Sequence, residues 1–195
     1  EKVKTRDIIV ITLILFFARL AYIAVKRKSP GRIRERALKL HTLLAVFSGG
    51  MAGLSLEMVI LYTYQYNFGS VYHIIGFIIA IFMFGLPLGA LAANALMDRE
   101  KFRDERGVIK IIILTQGVIA AIAFLLPYLV RLFTRFSLLN QLVIFAETIV
   151  IGFVIGFLFP FAVNLYLGQR ERTGQAAGVV DAVDHLGAAV GAFFV

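Results

Sequence analysis

The chain has 195 residues, 60% of them hydrophobic and 16% charged, with a formal net charge of +8 and a mean hydropathy of +0.87. Soluble domains run near half apolar and a quarter charged, so this balance makes lipid the solvent and excludes an ordinary soluble catalytic domain. The basic residues lie in short segments between apolar runs, which reads as membrane orientation and not as a nucleic-acid surface; the absence of cysteine excludes disulfides, thiolate metal sites, iron–sulfur clusters and Cys nucleophiles.

A hydrocarbon core of about 30 Å takes about 20 apolar helical residues to cross, and six stretches qualify. Span one is Asp7–Val25, followed by a basic linker over residues 26–40. The linker contains Ser29-Pro30-Gly31 and then reads as a basic amphipathic turn or two. It is either a solvated segment resting on anionic headgroups or a docking surface for a soluble domain. Span two is His41–Tyr64, span three Val71–Met97, span four Val108–Phe133 and span five Leu139–Leu167. Span six starts near Ala177 and is cut off at Val195, so the chain is expected to be part of a longer protein. Apolar runs of this length are too long for buried strands. The expected fold is all-α: one polytopic bundle of about six transmembrane helices over residues 1–195, the helices after the linker occupying 41–195.

Orientation follows from charge. Lys26, Arg27, Lys28, Arg32, Arg34, Arg36 and Lys39 oppose only Glu35 in the first linker, and Arg99, Lys101, Arg103, Arg106, Lys110, Arg170 and Arg172 fall on the same side. The positive-inside rule then places these connectors in the cytoplasm, Glu1 outside, and the protein in the inner (cytoplasmic) membrane. The short connections Gln65–Ser70 and Thr134–Leu138 make spans two and three, and four and five, antiparallel neighbours.

Glycines recur four apart in four spans: Gly49 and Gly53, Gly85 and Gly89, Gly152 and Gly156, Gly187 and Gly191. In lipid no hydrophobic force joins helices, so close approach through small faces supplies the packing energy. Pro87 and Pro160 each remove a backbone donor and are expected to kink or loosen their helices.

Ionisable residues inside the membrane are functional candidates. Glu57 and Glu147 lie about 10–12 Å below the expected outer surface, counted at 1.5 Å per residue. Equal depth allows a shared polar site in which each carboxyl is neutral or hydrogen-bonded; alternatively each bonds a neighbouring backbone and holds the bundle together. Towards the inner side, Asp181, Asp184 and His185 share one helical face, which suits a structural or gating network. Arg19 of span one lies at a similar depth and either pairs with Asp181 or Asp184 or snorkels to the headgroups. His41, His73 and His185 do not oppose one another at equal depth, so neither haem nor a metal site is expected. No Gly-rich phosphate loop follows a strand, no Ser/His arrangement suggests a nucleophilic triad, and no cofactor is expected.

Two stretches carry a family resemblance. Phe47–Arg99 holds Gly50-x-x-x-Leu54-x-x-Glu57 and Phe82-Met83-x-Gly85-Leu86. Gly156–Leu167 holds Phe159-Pro160, and Ala176–Ala192 holds Asp184-x-x-Gly187-Ala188-x-x-Gly191-Ala192. Together they resemble the membrane domain of the large bacterial spermidine synthase-like membrane proteins, distantly like the major facilitator superfamily. One departure is Asp181, which stands where that family usually has an aromatic residue. The resemblance implies a multi-span region adjoining a soluble aminopropyltransferase-like domain. That domain would hold decarboxylated S-adenosylmethionine and the amine, so aminopropyl transfer would belong to a longer parent and not to this chain. The Gly89…Asp98-Arg99 stretch also resembles a cytoplasmic loop of the major facilitator superfamily.

The expected function is a non-catalytic membrane domain or subunit that anchors or assembles a larger protein, its partners being the bilayer and other membrane subunits or a soluble domain. One alternative is a transporter-like half-bundle moving a cationic amine or protons through Glu57, Glu147, Asp181 and Asp184. The other is a structural membrane subunit of a respiratory or electron-transfer complex.

Overall fold

A computed structural model describes residues 31–69, 72–98, 104–133, 137–167 and 173–195. Span one and Arg19 lie outside the described residues. Within these the protein is all-helical: α1 Gly31–Phe68, α2 Tyr72–Met97, α3 Glu105–Phe133, α4 Ser137–Leu167 and α5 Thr173–Phe194. Each is long and apolar enough to cross a membrane. The chain divides into two units, Glu1–Leu38 and Lys39–Val195. The description of packing below concerns the second.

Local chemistry sets the helix ends. Asp104 precedes α3, and its carbonyl accepts the first helical bond from the Val108 amide at 3.0 Å, with Glu105 in the positive first turn. Gly69 takes φ +83° just after α1, the left-handed conformation that glycine adopts without a Cβ penalty. At its start, α1 begins ten residues before the apolar run. Arg34, Glu35, Arg36, Ala37, Leu38 and Lys39 form continuous helix where the sequence suggests only a turn or two. All have high helix propensity, and no proline interrupts the stretch between Gly31 and Phe68. At 1.5 Å per residue α1 is about 57 Å long, so a good part of it extends beyond a 30 Å hydrocarbon layer.

The two most buried helices are α1 and α4. Their register is antiparallel: Gly49 faces the Leu158 side chain, Gly53 faces Ile155, and Tyr64 meets Gln141. Helices α2 and α4 are parallel. The carbonyls of Phe82 and Leu86 lie against Gly152 and Gly156, while Gly85 and Gly89 lie against the backbone of Ile149, Phe153 and Phe157. At all four glycines an added Cβ would collide with backbone, so this seam is a reciprocal close approach that only glycine allows. Helices α1 and α5 are also parallel, with Gly187 against Phe47 and Gly191 against Met51. Pro87, Pro127 and Pro160 lie inside α2, α3 and α4, which continue through them. Pro87 and Pro160 leave the carbonyls of Met83 and Gly156 without an intrahelical donor. The core forms a layer centred on Ile60, Ile78, Ile144 and Ile151 towards the end where α4 begins. A second layer, around Ala45, Ala93, Val108 and Phe161, lies towards the end where α4 finishes.

Candidate intramembrane polar site

Helix α5 comes close to α1 because of Gly50, which lies opposite the Asp184 backbone. A Cβ on Gly50 would collide with the Asp184 carbonyl and stand 2.7 Å from its Oδ1. Asp184 is therefore level with Gly50, nine residues or about 14 Å into the apolar run that starts at His41. Alongside lies a cleft of about 280 Å³ between α1, α2, α4 and α5. Val46, Pro87, Ala90 and Phe159 give it apolar walls, and Asp181, Asp184 and His185 supply its charge. The His185 Nδ1 lies 2.9 Å from the Asp181 carbonyl, to which a protonated nitrogen donates, and 3.6 Å from Asp181 Oδ1. The two side chains are 60% and 75% exposed for Asp181 and His185 respectively. At this depth an aspartate facing lipid costs at least about 2.5–3.5 kcal/mol, so such a face calls for protein, water or a cation beside it.

Glu57 and Glu147 lie elsewhere and do not line the cleft. Interpolating the α1–α4 register puts Glu57 level with Ile151 and Glu147 level with Ile60, about one helical turn apart in depth. Glu57 is buried on α1. On α4, both carboxylate oxygens of Glu147 are inaccessible and have no hydrogen-bond partner. The structure thus gathers Asp181, Asp184 and His185 about one cleft and buries the two glutamate carboxyl groups away from it.

Several polar residues outside the sequence reading also matter. Gln116 on α3 donates through Nε2 to the Ala45 carbonyl at 2.8 Å, and the Ser48 hydroxyl donates to its Oε1 at 3.3 Å, tying α3 to α1. Asn140 is buried on α4 with an unpartnered Oδ1. Thr115 and Thr148 instead donate to carbonyls of their own helices, at 2.9 Å to Ile111 and 2.8 Å to Ile144. The seven-residue spacing of Asn140 and Glu147, which puts both on one helical face, was the available signal for Asn140. Among the described residues, no three His, Asp or Glu side chains converge as metal ligands.

No family description and no solved structure matches the chain. It is similar to polyamine aminopropyltransferase 1 of Streptomyces coelicolor, at 27% identity over 174 residues. That alignment covers 87% of this chain and 30% of the relative, so the chain spans under a third of the length of the curated protein it matches. The similarity supports a spermidine synthase-like relationship.

Proposed function

We propose that the chain is a non-catalytic membrane module of a spermidine synthase-like protein, anchoring or assembling a larger whole in the inner (cytoplasmic) membrane. One observation carries this reading: an alignment over 87% of the chain leaves room to miss at most one of the five apolar helices. The resemblance to an aminopropyltransferase therefore runs through membrane-spanning sequence. The partners are the bilayer and a soluble aminopropyltransferase-like domain or further membrane subunits, and the basic connectors face the cytoplasm. Co-expression tests it. A soluble aminopropyltransferase-like domain from the same parent should move to the membrane fraction when this chain is present. The purified chain alone should transfer no aminopropyl group. A domain that stays soluble, or turnover by the chain alone, overturns the reading.

The acid-lined cleft favours a second reading, a transporter-like half-bundle that admits a cationic amine between α1, α2, α4 and α5. Asp184→Asn would then abolish amine uptake into proteoliposomes at unchanged membrane expression. Unchanged uptake by that variant, or none by the parent chain, removes this reading.

A further inference from the structure

One face of α4 carries Asn140 and Glu147 seven residues apart, which places them in line along the helix about 10 Å from each other. The direction of that face is fixed by Leu158, eleven residues beyond Glu147 and so on the same side. Leu158 packs against Gly49 of α1 and clusters with Val108, Ile111 and Ile112 of α3. Asn140 is 2% exposed and three residues from the start of α4. Its Oδ1 and both Glu147 carboxylate oxygens are buried acceptors with no donor. Each such acceptor in an apolar interior costs about 1–3 kcal/mol until a donor reaches it. Among the described side chains, none facing this stretch of α4 is a cation. Facing residues on α1 contribute Glu57 and Tyr64, and Ile111–Leu129 of α3 contributes only Tyr128, which is exposed. On the far flank of α4, α2 brings Tyr72 and His73, both exposed at its first turn.

We propose that Glu147 is a proton-exchanging carboxyl inside the membrane, reached by water that passes Asn140 from the end of the bundle where α4 begins. Hydronium gives its proton to the Glu147 carboxylate, leaving a carboxylic acid and a water molecule, and release is the reverse. Asn140 acts as the positioning residue, its carbonyl oxygen accepting from the water that leads inward. Glu57, about a turn away, is the nearest second carboxyl and shares the proton's electrostatic environment. This role goes beyond anchoring and does not depend on it.

Infrared spectroscopy of the whole chain in lipid nanodiscs tests the proposal. The difference between the wild type and Glu147→Gln should contain the carbonyl stretch of one protonated carboxylic acid, shifting on transfer to heavy water. Asn140→Leu should keep that band and slow its exchange roughly tenfold, the effect of removing about one hydrogen-bonded step. A measurement on the wild type alone guards against a variant that fails to fold. A lipid-soluble carbodiimide adds to protonated carboxyls in apolar surroundings, and peptide mapping should find the N-acylurea on Glu147. A difference spectrum holding only carboxylate bands, or an unmodified Glu147, overturns the protonation site. Unaltered exchange in Asn140→Leu overturns the route.

Discussion

Replacing Gly156 with alanine should push α2 away from α4. The sign of the effect separates a seam that requires glycine from glycines that are merely frequent in membrane helices. A Cβ at Gly156 would collide with the Leu86 carbonyl. At Gly85 in the same seam the overlap is measurable: an added Cβ would stand 2.7 Å from the Ile149 oxygen and 2.9 Å from the Phe153 nitrogen. Ordinary non-bonded separations begin near 3.5 Å. Both obstacles are backbone and cannot rotate aside, so the helices must part by roughly 1 Å. A gap of that size forfeits a quarter to a half of the dispersion energy across it, and the expected cost is about 1–3 kcal/mol. Gly117 and Gly178 are the controls, since an added Cβ there meets nothing within 4 Å. At those positions alanine gains up to about 1 kcal/mol of helix propensity, so the change should be neutral or stabilising. Unfolding in mixed micelles titrated with dodecyl sulfate, followed by circular dichroism, compares the three variants. Equal stability of Gly156→Ala and Gly117→Ala would refute the reasoning.

Gln116→Leu should destabilise the bundle by about 1 kcal/mol in the same titration, because it removes the hydrogen bonds to Ala45 and Ser48 that tie α3 to α1. Thr148→Val should stay within about 0.5 kcal/mol of wild type, since the lost hydroxyl served only a carbonyl of its own helix. The chain lacks cysteine, so single cysteines report topology cleanly. An impermeant maleimide should label Asn67→Cys in intact cells, and Lys39→Cys and Lys110→Cys only after the cytoplasmic face is opened. Labelling of Lys39→Cys and Lys110→Cys from opposite sides would contradict the charge-based orientation.

Each of the five described helices was legible as an apolar run, with ends misplaced by a few residues except at α1. There the basic stretch from Arg34 to Lys39 continues the helix, because hydropathy locates lipid and not the hydrogen-bonded backbone that extends past it. The glycine spacings marked faces but did not name partners. Gly85 and Gly89 meet Gly152 and Gly156 across a parallel pair two helices apart in the chain. Gly50, outside the four-residue pairs, turns out to admit α5. Such pairings depend on interhelical register, which no single helix encodes. The acids stood out by type, since charge is rare in lipid. Gln116 and Asn140 are neutral amides whose significance comes only from burial and from what stands opposite.

The seam between α2 and α4 also bears on biogenesis. Its halves are separated by the whole of α3, so during synthesis the glycine face of α2 enters the bilayer with no counterpart. It must wait for α4 to leave the translocon before it is sealed. Until then the nascent α2 and α3 rest beside lipid or an insertase. A ribosome that stalls after α3 would release a product whose most tightly fitted surface is still open, a natural target for membrane quality control.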